Sequence, residues 1–437
     1  MFTTLKNAFK IKEIRNTILF TFAMLVVIRI GSQLPTPGVS GEFFREWFAS
    51  QADGAFGFFD AITGGSFINM SILALNISPY ITSSIIMQLL TIAIPKLEEM
   101  QRDGEDGRKK IASITRYVTV VLALIQATAM SIGFGRQGYL TNYNALSVIT
   151  AVVTLTAGSA FLMWVGERIT EKGIGNGISI VLVINIISRL PEDLGNLFEQ
   201  FVFGKAPATA VLAAVIILAI IVAMVVLVII LNDGVRKIPV QYANKVQGRK
   251  MVGGQTSNIP LKVNTSGVIP VIFAQSILQL PIFISSFAGY NGTGVWSEVL
   301  KYLNSNYWCN PSQIQYTVGL LVYMVLIVFF AYFYTSITFN PLMIADNMKK
   351  QGGFIPGIRP GKPTSDYLNK VLNYIVFVGA VGLTVIAVIP YIFSGVFGAR
   401  VSFGGTSLII IVSVVLETMK QVESQMLVRN YRGFLEK

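Results

Sequence analysis

The sequence predicts an all-α polytopic membrane protein, with ten transmembrane helices in two inverted, pseudo-symmetric halves of five. Three observations carry this. Of 437 residues, 53% are hydrophobic and only 13% charged, a balance foreign to ordinary soluble domains. The apolar runs are long enough to span a bilayer and are separated by basic loops. The chain also echoes itself: Pro79, Ile81, Ile86, Gln88 and Leu89 recur 191 residues later as Pro270, Ile272, Ile277, Gln279 and Leu280. Self-similarity at a fixed offset marks duplicated halves. Five spans per half, an odd number, sets those halves in opposite orientations across the membrane.

The spans are expected at residues 18–34, 71–94, 114–134, 147–166, 175–195, 208–231, 266–288, 313–337, 371–394 and 404–427, with the halves dividing into 1–205 and 206–437. The first segment, Met1 to Thr17, carries Lys6, Lys10, Lys12 and Arg15 and reads as an anchor on anionic headgroups. The first apolar run is itself long enough to span, so it is expected to stay in the protein rather than be cleaved as a signal.

The next stretch, Ala55 to Pro95, holds one charge, Asp60, and is too long for a single helix of about 20 residues. Gly64, Gly65 and Ser66 break it early, and Asn76, Ser78 and Pro79 break it midway, since a proline costs a helix interior about 3 kcal/mol. Two pieces follow: a short apolar segment, Phe56 to Met70, and a full span from Ser71 to Ile94. Irregular backbone at membrane depth survives only when shielded by protein or a wet cavity, which puts the short piece inside the molecule; an outer loop on the membrane surface is the alternative. The mixed acids and bases from Pro95 to Ile111 read as a solvated turn.

After the fourth span comes GERITEKGIGNGIS, residues 166–179. Its glycines, Gly173, Gly175 and Gly177, lack the preceding strand and the following Lys-Ser/Thr of a phosphate-binding loop. A tight link between two membrane helices is expected, with Asn176 capping the fifth and Ile178 and Leu182 sharing a face.

Orientation follows from the basic residues. Of 34 lysines and arginines, all but Arg29, Arg45, Arg136, Arg189, Lys205, Lys301 and Arg400 fall on one side if the N-terminus is cytoplasmic, which sets both termini inside. Two cytoplasmic loops are large. Asn232 to Val263 holds Arg236, Lys237, Lys245, Arg249, Lys250 and Lys262 against Asp233 alone, and its VQYANK and NIPLKV stretches alternate as the strands of a hairpin. Phe339 to Asn369 holds Arg359 between Pro356 and Pro360, on stiff backbone. Loops of about 30 residues exceed the usual 2–8 of a bundle and point to a large docked partner.

The chemistry available is limited. With no histidine, Ser-His and Cys-His nucleophile pairs, histidine metal sites and HExxH motifs are excluded; Cys309, alone, makes no internal disulfide. No enzyme, metal or cofactor is expected. The net charge of +12 fits anionic lipid or nucleic acid contact.

SPYITSSIIMQLL, GERITEKGIGNGISI, PVQYANK with LKVNTSGVIPVIF, FNP through ADNMKKQGGFIPGIRPG, and GGTSLIIIVSVVLET with QVESQ together resemble SecY, the central subunit of the bacterial protein-conducting channel. The resemblance runs from the first span to the last. It implies an hourglass pore in the bacterial plasma membrane, opening across the bilayer and sideways into lipid. It places a constriction ring at Ile77, Ile81, Ile178, Leu182, Ile272 and Ile410, with Leu182 where isoleucine is common. It implies a plug at about 56–73, including Phe58, Phe59, Asp60, Ile62, Gly64, Gly65 and Phe67. Spans two, three, seven and eight would form a lateral gate, with Gln88 and Gln275 at polar gate positions. The long loops would dock the SecA motor or translating ribosomes through Arg236, Lys237, Lys245, Arg249, Lys250 and, chiefly, Arg359. SecE and SecG would be membrane partners, and signal peptides and unfolded secretory polypeptides the cargo.

Two functions compete. A passive protein-conducting channel needs only a ring of branched apolar side chains that dewets the passage. A secondary transporter would use broken helices around polar groups at the midplane. The spans are short of charge, with Glu167, Glu171, Arg29 and Glu417 near their ends, and this favours the channel. Ordinary helix packing is the plainer account of the isoleucines; the internal repeat and the resemblance raise the ring above it.

Overall fold

A computed structural model describes residues 8–39, 41, 60, 62–136, 138, 140, 142–203, 207–242, 245–247, 250–252, 256–287, 294–397 and 405–435. Each expected span coincides with a helix: α1 Lys12–Gly31, α2 Ser78–Ala93, α4 Glu105–Arg136, α5 Ala145–Lys172, α6 Gly177–Phe201, α7 Pro207–Asp233, α8 Ile269–Phe287, α10 Val318–Thr338, α12 Lys362–Phe397 and α13 Gly405–Leu435. Among the described residues, six stretches are long and apolar enough to cross a membrane by length and composition alone, and α2 with its bent continuation makes a seventh. The rest fall short for visible reasons. α6 carries Arg189, Glu192 and Asp193, α13 carries Glu417 and Lys420, and the described part of α8 is short. The chain is a multi-pass membrane protein.

Two expectations need correction. The second span does not begin at Ser71: residues 71–77 form turns and the helix starts at Ser78, with Pro79 in its first turn. Proline there loses no hydrogen bond, because the first N–H groups of a helix have no partner in any case. Nor is the stretch after Pro95 a simple turn. Pro95–Arg102 forms α3, bent by 106° from α2, and Glu105 to Ile111 already belongs to α4.

The hairpin forms as the alternation indicated. β1, Val235–Tyr242, pairs antiparallel with β4, Thr256–Lys262, and Ile238 and Val240 turn inward while Arg236, Lys237 and Gln241 stay exposed. β2, Lys245–Gln247, and β3, Lys250–Val252, make a small ladder at its tip. What the sequence concealed is that the second long loop joins the same structure. After α11, Pro341–Lys350, the short β5, Gly353–Phe354, adds to β1. Ile355, Leu368 and Ile375 then seal an apolar cluster against Ile238, Val240 and Leu261. The two loops are one unit seated on the start of α12.

The buried apolar residues fall mainly into clusters from one side of the chain's midpoint. One joins Ile28, Leu73, Ile77, Leu162, Val165, Ile169 and Val181. The largest has all its buried members between Met224 and Ile409. A smaller cluster crosses over, packing Leu182, Val183 and Ile186 against Ile410 and Val414. α8 lies against both α10 and α4, so the two parts also meet along this helix.

Candidate functional site

α5 and α6 set the depth of one wall. A Cβ on Gly177 would overlap the Gly166 carbonyl, so the two helices approach as only glycine allows. The Asn176 side chain accepts hydrogen bonds from Ile178 N and Ser179 N at 3.1 and 3.4 Å, capping α6 as the sequence suggested. Ile178 and Leu182 then face a cavity of about 490 Å³ lined by residues from both sides of the chain's midpoint. Ile81 of α2 and Ile272 and Phe273 of α8 complete its apolar part, and Gln88 of α2 adds an amide to the lining. Its rim is polar, with Arg116 Nε on Glu167 Oε1 at 2.6 Å.

The crossing cluster adjoins the cavity, sharing Ile81, Leu182 and Ile272 with its lining. Ile81 and Ile272, from either side of the chain's midpoint, both pack against the cluster formed by Leu182, Val183, Ile186, Ile410 and Val414. Ile77 and Ile178 belong to the neighbouring cluster, to which Ile81 also contributes. The six residues named for a ring thus sit in two adjoining clusters that share Ile81. Ile77, Leu182 and Ile410 are buried, and Ile81, Ile178 and Ile272 are half-buried.

The segment before α2 sits against this cluster through Ile62. Gly64 has φ +66°, and a Cβ there would come within 2.7 Å of the Asn185 backbone, so glycine is required. Its carbonyl accepts from Arg29 Nη1 at 3.1 Å and Ser188 Oγ at 3.3 Å. Gly65 lies beside the Arg189 stem, and Phe67 is buried against Phe134, ring centroids 6.3 Å apart. Asp60 is wholly buried; Oδ1 accepts from Ile68 N at 2.9 Å and Oδ2 faces Arg189 Nη2 at 2.7 Å. Burial pushes its carboxyl up to about 6, with Arg189 pulling the other way. Phe58 and Phe59 lie outside the described residues.

The two glutamines part company. Gln88 lines the cavity, whereas Gln275 is buried and its Oε1 accepts from Tyr391 of α12 at 3.2 Å. Of the basic residues, Arg236, Lys237 and Arg359 are exposed. The backbone of Lys245 and Lys250 belongs to the β2–β3 ladder, and Arg249 lies outside the described residues.

Among the polar contacts the sequence did not anticipate are the Asp60–Arg189 pair and the bond from Tyr391 to Gln275. Asp60 as the one charge in an apolar stretch signalled a missing partner, but spacing could not say that it lay more than a hundred residues on. Nothing in the sequence marks Tyr391.

A family model described as SecY matches residues 71–419. Among curated proteins, the protein translocase subunit SecY of Bacillus licheniformis is 44% identical, covering 100% of both chains, and that of Bacillus subtilis is also 44% identical at the same coverage. A solved structure described as a protein-conducting channel aligns with TM-score 0.61 at 18% identity, covering 94% of this chain and 92% of that one. Sec61 in a canine ribosome-channel complex aligns with TM-score 0.56 at 17% identity, over 94% and 92%.

Proposed function

The chain belongs to the SecY family, and on that premise we propose that it is the channel through which a translocase passes unfolded secretory polypeptides across the membrane and releases membrane-protein helices sideways into lipid. The observation that carries this is that Ile81 and Ile272, one from each side of the chain's midpoint, pack against a single apolar cluster adjoining an open cavity. A narrow ring of branched side chains dewets when empty and yields to any chain that pushes through. It needs no specific bond to its cargo, and so is indifferent to sequence.

The remaining assignments follow from this reading. Ile77, Ile81, Ile178, Leu182, Ile272 and Ile410 form the constriction between the halves 1–205 and 206–437. The segment of about 56–73 is the plug beneath it, and α2, α4, α8 and α10 are the lateral gate, with Gln88 and Gln275 on it. The basic residues of the joined cytoplasmic loops, Arg359 first, dock the SecA motor or the ribosome, with SecE and SecG as membrane partners. Both termini face the cytoplasm of a bacterial plasma membrane, as the distribution of lysine and arginine favours.

The test is ion flux through reconstituted channels. Changing Ile81 and Ile272 together to glycine is expected to make the resting channel leak. An unchanged leak with altered uptake of a small solute supports a transporter instead.

A further inference from the structure

Among the described residues, the Asp60–Arg189 contact is the one ion pair with a fully buried member; the side chains are 0% and 15% exposed. It is ionic rather than well directed, since Asp60 Oδ2 has no hydrogen-bond partner of good geometry. Arg189 is shared, its Nη1 meeting Glu192 Oε2 at 2.6 Å. The grip on Gly64 comes from Arg29 and Ser188. These polar holds lie on α1 and α6, in the N-terminal part of the chain, whereas Ile62 packs against the apolar cluster that holds Ile410 and Val414 of the C-terminal part.

We propose that the Asp60–Arg189 pair is a charge latch that fastens the segment around Asp60 to α6. When the halves separate, the segment travels with the N-terminal half, and the passage clears only after the pair is broken. The inference rests on the channel reading. Its physical basis is asymmetric: removing one member of a buried pair strands a charge, whereas replacing both by neutral groups costs little. Loss of Arg189 leaves Asp60 buried without its counter-ion. Loss of Asp60 leaves Arg189 still paired with Glu192.

The test uses the full chain, with the membrane subunits that purify with it, in planar bilayers without substrate. Arg189→Gln is expected to raise resting ion conductance about 100-fold, whereas Asp60→Asn, which removes the buried charge itself, is expected not to raise it. Adding Asp60→Asn to Arg189→Gln is expected to bring conductance back toward the unaltered channel. A double variant as leaky as Arg189→Gln, or no rise in Arg189→Gln, overturns the latch.

A second readout needs one variant only. In Arg189→Gln, lowering the bathing pH from about 8 to about 5 neutralises the stranded Asp60 and should suppress the leak. The groups facing Asp60 are Arg189, Glu192 and Asp193 of α6, with Arg29 of α1 on the neighbouring Gly64; none of the carboxylates gains charge on acidification. The double variant should stay flat, and a flat Arg189→Gln channel sinks the proposal. The Ile81→Gly/Ile272→Gly channel is measured alongside: leak there with none in Arg189→Gln rejects the latch alone, and leak in neither rejects the channel reading.

Discussion

Asn76 and Gly267 hold the same backbone 191 residues apart: φ is +51° at one and +63° at the other. Each stands two residues before a helix, at Ser78 or Ile269. Pro79 and Pro270 are each the second residue of that helix, and five residues past the left-handed position come Ile81 and Ile272. What repeats is therefore a piece of geometry, a left-handed turn that launches a helix and sends one isoleucine toward the opposite half.

The two turn positions should respond differently to alanine. A Cβ on Gly267 meets nothing within 4 Å, so Gly267→Ala is expected to cost only backbone strain, about 1 kcal/mol. Asn76 also accepts from Ile77 N at 2.8 Å and donates to Ile62 O at 3.3 Å. Asn76→Ala loses these bonds in a buried site and is expected to cost about 2 kcal/mol. Thermal unfolding of the purified protein orders the two, and an equal loss would show that the side-chain bonds contribute nothing.

Leu182 is the ring candidate whose identity departs from the family's common isoleucine. It is packed against Ile186 and Ile410, and leucine and isoleucine have the same volume, so Leu182→Ile is expected to cost less than about 1.5 kcal/mol and to leave resting conductance unchanged. Leu182→Asn is expected to wet the constriction and raise conductance, since a polar side chain there removes the barrier to water. Conductance that does not distinguish the two would place Leu182 outside the seal.

How much of this was legible in the sequence depends on range. The ten helices, the Asn176 cap and the β1–β4 hairpin follow from local patterns, and local patterns are what a sequence displays. The start of α2 was misplaced by seven residues because apolar residues from Ser71 to Ile77 suit a buried turn as well as a span. The addition of β5 to β1, the Asp60–Arg189 pair and the Tyr391–Gln275 bond each join residues far apart in the chain. No periodicity links such partners; only the packed fold brings them together.

Acid should favour the docked segment. Asp60 in place has its carboxyl raised to about 6 from an ordinary 3.8, burial being the main cause. The docked form therefore binds a proton more readily than the hydrated, released form. Its added stability is full below about 3.8 and is lost as pH rises through about 6. Resting conductance of the unaltered channel is expected to fall as the bathing solution is taken from about pH 7 to about pH 5, and Asp60→Asn should remove that dependence. A rise on acidification would show that neutralising Asp60 weakens the dock.

Arg359 tests whether the joined cytoplasmic loops form a docking surface. Its backbone is held on several sides: Pro356 and Pro360 flank it, Gly357 and Gly361 take φ of +82° and +99°, and its carbonyl accepts from Thr364 Oγ1 at 2.8 Å. The side chain is exposed, so it spends little stability on the fold and is presented on a rigid mount, where a charge contributes most to recognising an oppositely charged partner. Arg359→Glu is expected to leave the melting temperature within about 1 °C, because surface substitutions usually fall within about 0.5 kcal/mol. The same change should abolish most motor-driven secretion, since reversing a charge at a complementary interface replaces attraction with repulsion. The two readouts separate the roles: secretion lost with the fold intact assigns Arg359 to docking, and normal secretion rejects that assignment.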